Sequence, residues 1–156
     1  MIFDETTLPK VRGRWFDELV AGESFASSVT ITEAHLMIGA GYVADFNPLH
    51  VDEAFARKSR FGGRILHGML TSALMGGPVG MHFHGTAIAY LEHNARFLAP
   101  VRPGDTLTIA WNIDRLVAKP AHGGGIAELS GSATNQDGVV AAGATGKIMV
   151  FTRPQA

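Results

Sequence analysis

The sequence predicts an α+β fold in which an apolar helix packs against one face of an antiparallel sheet. Three observations predict it. Helical patterns crowd the first half of the chain, and four extended segments fill the second. The links between those segments are turn-rich: Pro100-Val101-Arg102-Pro103-Gly104-Asp105, Gly123-Gly124-Gly125, and Asp137-Gly138. Residues 65–76 are apolar all round, as expected of a buried helix.

Each element follows from local chemistry. Residues 1–14 carry charges and a proline and read as an irregular arm. Trp15 to Leu19 reads as a short turn or helical piece before Gly22, and residues 24–30 as a first strand. Thr32 is a good N-cap, with Glu33 in the first turn where the helix dipole favours an anion. Leu36, Ile38, Ala40 and Val43 continue a mostly apolar helix, which Pro48 ends near 44–46 because the residue before a proline is pushed out of the α region. Asp52 to Arg60 suits a short surface helix stopped by Gly62-Gly63. The apolar helix over 65–76 should break or kink at Gly76-Gly77-Pro78. Strands are expected over 86–98, 106–117, 125–135 and 139–151, with Asp137-Gly138 a hairpin signal. Short links favour antiparallel pairing among them.

A chain of 156 residues fits one domain, 1–156. The formal net charge is −1, which argues against nucleic acid as a partner. There is no cysteine, so disulfides, thiolate chemistry and Cys-ligated zinc are excluded. The first residues carry acids where a signal peptide would carry bases, and no apolar run of membrane-spanning length occurs. The expectation is a cytoplasmic protein that does not enter a membrane.

The stretch richest in chemistry is Asp45-Phe46-Asn47-Pro48-Leu49-His50. On one continuous helix Asp45 and His50 would point apart, but Pro48 breaks the helix and lets them turn back toward one another. Asn47 can accept backbone amides or orient the acid. A carboxylate beside an imidazole can move protons to and from water; the same residues also serve as ordinary turn-formers and caps. Gly62-Gly63 and then His67-Gly68-Met69 lie at the entrance of the apolar helix. Backbone N–H groups are free there and favour developing negative charge. Gly68 lets a ligand approach its amide closely, or packs helix against sheet.

These residues resemble the MaoC-like, or hydratase-2, branch of the hotdog-fold proteins, the (R)-specific enoyl-CoA hydratases and related 3-hydroxyacyl-thioester dehydratases. The resemblance rests on Asp45-Phe46-Asn47-Pro48-Leu49-His50, on His67-Gly68-Met69, and on Phe97-Leu98-Ala99-Pro100-Val101-Arg102-Pro103-Gly104-Asp105. It implies a hotdog fold, an antiparallel sheet wrapped round the helix that begins near 65–68. It implies a lyase that adds water reversibly across the double bond of a trans-2-enoyl thioester. Asp45 and His50 would be the catalytic pair holding and activating the water. Asn47, His67 and Gly68 would be substrate-binding positions, with the Gly68 N–H donating to the thioester oxygen. No cofactor and no metal is implied; coenzyme A enters only as part of an acyl-CoA or acyl-carrier thioester substrate. A homodimer or dimer of dimers is expected. Two departures stand out: Ala44 replaces the family's usual glycine, and Gly76-Gly77-Pro78 sits where many members keep an unbroken helix shaping the acyl tunnel.

Other signals carry less. His82-Phe83-His84 reads as a polar loop after the helix; as zinc ligands the two imidazoles lack a third at suitable spacing. Gly39-Ala40-Gly41 and Gly123-Gly124-Gly125 are not phosphate loops, and no serine sits in a G-x-S-x-G setting. Arg57, Lys58, Arg60 and Arg64 form the one basic cluster, either a solvated helix surface or a contact for the phosphates of CoA or a carrier arm. Glu92 and His93 should face opposite sides of a strand. A hotdog thioesterase and a non-catalytic acyl-binding subunit are the competing readings. The first would lack Asp-x-Asn-Pro-x-His, and the second would lose the Asp/His pair.

Overall fold

In the computed structural model, which describes residues 13–154, strands β1 (Ser24–Thr30), β2 (Ala87–Phe97), β3 (Thr106–Lys119), β4 (Gly124–Thr134) and β5 (Val140–Phe151) form one sheet in the order β1-β3-β4-β5-β2. All neighbours are antiparallel. Four helices lie between β1 and β2: α1 (Glu33–Val43), α2 (Pro48–Val51), α3 (Glu53–Lys58) and α4 (Gly68–His82). Two 3-10 turns cover Phe16–Glu18 and Pro120–His122. Most of the N-terminal arm, residues 1–12, lies outside the described residues; Gly13 and Arg14 donate their amides to the carbonyls of His84 and His82. Helix α4 touches all five strands, which is the hotdog arrangement of a sheet around one helix. Among the described residues no helix is long and apolar enough to cross a membrane.

Alternation on the strands builds the core. Leu107, Ile109, Trp111 and Ile113 of β3 are all buried, as period-two packing against a helix requires. Met75 and Val79 of α4 are buried one helical turn apart against them. Each such side chain contributes ~1.5–3 kcal/mol by leaving water. Asp137-Gly138 makes the expected hairpin, with Gly138 at φ 79° between β4 and β5.

Four expectations are corrected. First, the helix does not stop at Gly76-Gly77-Pro78 but runs to His82 with Pro78 inside it. Burial of Pro78 and Val79 outweighs the one backbone bond that a proline forfeits. The Trp111 indole N–H also donates to the Met75 carbonyl at 2.9 Å, beside the turn that Pro78 loosens. Second, α4 is not enclosed on every side: Met69 and Met81 are exposed. Third, His82-Phe83-His84 is not a polar loop, since His82 ends the helix and Phe83 is fully buried. Fourth, β2 does not pair with β3, its sequence neighbour, but with β5 at the opposite side of the sheet. The link 98–105 therefore crosses over the strand ends, held by the amides of Leu98 and Ala99 on the Ala141 carbonyl and of Leu66 on the Val101 carbonyl. Of the three glycines at 123–125 only Gly123 lies in the turn, at φ 66°; Gly124 and Gly125 belong to β4.

Candidate active site

The site is built on the segment between α1 and α4. α1 ends on Ala44, which adopts the left-handed conformation at φ 54°, ψ 31°. It is the one non-glycine with positive φ among the described residues. This turn reverses the chain and presents Asp45. The Asn47 amide then donates to Asp45 Oδ1 at 3.0 Å, and Asn47 Oδ1 accepts from the Leu49 amide at 3.1 Å. Asn47 thus caps α2 and fixes the carboxylate. Pro48 at the first position of α2 is pre-set for a helix start. One turn carries the chain to His50.

His50 and Asp45 converge. His50 Nε2 lies 3.7 Å from Asp45 Oδ2, with the imidazole side chain 12% exposed and the carboxylate 50% exposed. His50 Nδ1 lies 2.8 Å from the Ile65 carbonyl oxygen. A carbonyl can only accept, so neutral His50 carries its proton on Nδ1 and leaves the Nε2 lone pair beside Asp45. The same argument applies to His67, whose Nε2 lies 2.9 Å from the Asp45 carbonyl oxygen. His67 is 2% exposed and stacks against His50, with centroids 3.8 Å apart and planes at 28°. It therefore supports the pair from beneath rather than lining the cavity, which differs from its expected place against substrate.

A cavity of about 440 Å³ opens beside His50. His50, Phe61, Gly68, Thr71, Phe97 and Val101 are among its walls, and Arg60 stands at its edge. Gly68 is the first residue of α4, so no carbonyl one turn earlier in the helix can take its N–H. A methyl at Gly68 would meet the Phe97 ring at 3.1–3.3 Å, so glycine lets the aromatic ring close over the helix start. Gly77 and Pro78, expected to shape the acyl tunnel, line a separate cavity of about 460 Å³ beside β1.

Asp45, His50 and His67 also gather three groups of metal-ligating type within 4.8 Å, a proximity the sequence spacing did not reveal. Their donors do not converge freely. His67 Nε2 is committed to the Asp45 carbonyl, and His67 Nδ1 faces Gly39, where an added Cβ would stand 3.0 Å away. His50 Nδ1 is committed to Ile65. That leaves His50 Nε2 and the Asp45 carboxylate, two donors where zinc needs at least three.

The remaining signals fall into structural roles. Arg57 and Arg64 both bond Glu53, at 2.7 and 3.0 Å, and Arg64 also reaches Glu33 at 2.9 Å. Those guanidiniums hold the Glu53 carboxyl below its usual range. Glu92 and His93 do face opposite ways: Glu92 pairs with Lys147 at 2.8 Å, and His93 lies 6.0 Å from the Trp111 ring with its Nδ1 3.0 Å from the Tyr90 hydroxyl.

Residues 20–122 match the family described as the MaoC like domain, and the chain belongs to that family. It is 35% identical over 103 residues to an (R)-specific enoyl-CoA hydratase of Rhodospirillum rubrum, covering 66% of this chain and 72% of that protein. It is 31% identical over 110 residues to a 3-hydroxybutyryl-CoA dehydratase of Methylorubrum extorquens, covering 70% of each. Among solved structures, the unliganded R-hydratase of Pseudomonas aeruginosa superposes with a TM-score of 0.78 at 28% identity, covering 89% of this chain and 86% of that one.

Proposed function

We propose that this protein is an enoyl-thioester hydratase, acting reversibly as a 3-hydroxyacyl-thioester dehydratase, with Asp45 and His50 as its catalytic pair. One observation carries the assignment of roles. The Nε2 of His50 lies beside the Asp45 carboxylate, and His50 lines a cavity that also includes the start of α4. The names of the relatives at 35% and 31% identity point to the same reaction.

The chemistry follows from that geometry. In a trans-2-enoyl thioester the carbonyl withdraws electrons and leaves C3 electrophilic. A water held between Asp45 and His50 attacks C3 and gives a proton to the pair. Charge builds on the thioester oxygen, where the Gly68 N–H at the positive end of the α4 dipole donates to it; one such donor is worth about 2.7–4 kcal/mol. The pair returns a proton to C2, so the elements of one water are added. Asn47 fixes the carboxylate and His67 fixes both partners. Every step uses groups of this chain, with coenzyme A or a carrier arm entering as part of the substrate.

We further infer that two copies pair along β2. That strand is an edge of the sheet, and Ile88, Leu91, Phe97 and Leu98 are exposed on it or just beyond it. An edge strand of eleven residues with exposed apolar side chains is a template for another strand. Leu91→Glu should convert a dimer to a monomer in light scattering, and an unchanged mass would refute this edge as the interface.

The hydration reading is tested by the loss of enoyl-thioester absorbance on adding protein to trans-2-enoyl-CoAs from crotonyl upward. Asp45→Asn and His50→Ala should each lower kcat/KM by about 10²–10⁴ while remaining folded. Release of free thiol without hydration would replace this reading with a thioesterase.

A further inference from the structure

The basic cluster around residue 60 is divided by the structure into spent and unspent charges. Arg57 and Arg64 are taken up by Glu53 and Glu33. Arg60 is not: among the described residues no carboxylate bonds it, and its guanidinium lies over the Phe61 ring at 4.8 Å from the centroid. Arg102 approaches Phe61 from its backbone side, with Nη2 donating to the Phe61 carbonyl at 2.7 Å. It too has no carboxylate against its guanidinium among the described residues. Two exposed cations therefore bracket one aromatic residue, and Arg60 and Phe61 both line the cavity that holds His50 and Gly68.

This arrangement has a chemical meaning beyond solubility. A guanidinium stacked on an aromatic face keeps its N–H edge turned outward and loses less freedom on binding than a free chain. A planar fork of donors matches phosphate oxygens. The cavity's other walls near this rim (Ile65, Leu66, Pro100 and Val101) are apolar and offer no competing anion. Arg102 is tethered to Phe61 from a different stretch of chain, so the two charges meet at that residue from separate segments rather than along one helix.

We propose that Arg60, seconded by Arg102, is the specificity-determining anchor for the phosphate at the far end of the pantetheine arm, whether that phosphate belongs to coenzyme A or to a carrier-protein arm. The proposal rests on the reading of the cavity as an enoyl-thioester site. Arg60 contributes to holding substrate and takes no part in the proton transfers at Asp45 and His50.

The test is calorimetric binding of three saturated analogues, which have no double bond to hydrate: butyryl-CoA, butyryl-4′-phosphopantetheine and butyryl-pantetheine. The wild type should bind the phosphorylated ligands more tightly. Arg60→Gln should weaken their binding about tenfold, the scale of one charge-assisted contact. It should change Kd for butyryl-pantetheine less than twofold. Arg60→Lys should keep most of the affinity, and Arg60→Gln with Arg102→Gln should lose more than either alone. Equal losses on both phosphorylated ligands assign the contact to the phosphopantetheine phosphate; a loss on butyryl-CoA alone would place it on the phosphates found only in the nucleotide and overturn the proposal. A loss of the same factor for all three ligands, or for none, would overturn the proposal. Hydration of crotonyl-pantetheine by the wild type is measured alongside. If that hydration is absent while the Arg60-dependent preference for phosphate stands, the hydratase reading fails and the anchor does not.

Discussion

His67 lies flat beneath His50 with ring centroids 3.8 Å apart, while its Nε2–H donates to the backbone carbonyl of Asp45. One buried imidazole therefore sets the position of both members of the pair. His67→Leu should lower kcat, by up to about 100-fold for a displacement of roughly 1 Å, with little change in KM. His67→Gln keeps an N–H that can reach the same carbonyl and should recover part of kcat. Equal loss in both variants without a change in kcat/KM selectivity between substrates would make His67 a core residue only. The measurement is steady-state hydration of crotonyl-CoA.

Gly68 faces the Phe97 ring, and a methyl there would stand 3.1–3.3 Å from it. Gly68→Ala should reduce kcat/KM on the order of 10²-fold by crowding the oxygen that its amide serves. Adding Phe97→Ala should relieve the contact and restore the melting temperature without restoring activity. Recovery of activity in the double variant would show that ring packing, not approach to the amide, is what glycine protects.

Ala44 holds a left-handed conformation at φ 54° that costs an L-residue roughly 1–2 kcal/mol. Glycine adopts it without a Cβ penalty, though it gains entropy in the unfolded chain. Ala44→Gly should therefore raise the melting temperature by about 2–4 °C, the response of a domain of this size to roughly 1 kcal/mol. A lower melting temperature in a thermal scan would contradict the strain.

Burial pushes the His82 imidazole below its usual range, against an opposing pull from Glu23 at 3.9 Å and with a further push from Arg14. Burial does the same to His93. For a base held neutral in the fold, the unfolded chain binds protons that the native chain refuses. Stability from these groups is thus complete above the ordinary histidine value of about 6.5 and is lost as pH falls below it. Melting temperature should decline between pH 7.5 and 5.5, and His82→Gln should flatten part of that decline. An unchanged slope would remove His82 from the account.

Much of the fold was legible because its signals are local. Asp137-Gly138 specifies a tight turn through its own backbone preferences, and Pro48 ends a helix by steric exclusion. The Asp45/His50 pairing was legible for the same reason, since the Pro48 turn alone brings the two back together. What was not legible depends on partners far along the chain. Pro78 stays helical because its surroundings are buried, with the Trp111 indole bonded to Met75 one turn away, thirty-six residues in sequence from its partner. β2 joins β5 rather than β3 because the link 98–105 is pinned to Ala141 and Leu66. His67 carries a neutral-looking motif position, and only the folded chain shows its ring under His50. The basic cluster could be divided only once Glu33 and Glu53 were seen to claim Arg64 and Arg57.

The pairing of β1 with β3 joins residues about eighty positions apart, from Ser24–Asn112 to Thr30–Thr106. Every residue of the Asp45–Gly68 segment lies inside the loop which that pairing closes. Closing so long a loop carries an entropic cost that the β3-β4-β5 hairpins do not face. The hairpins are expected to form before the first strand docks. Return of catalysis on refolding is therefore a clock for the arrival of β1, and will trail the burial of Trp111 in the strand that waits for it.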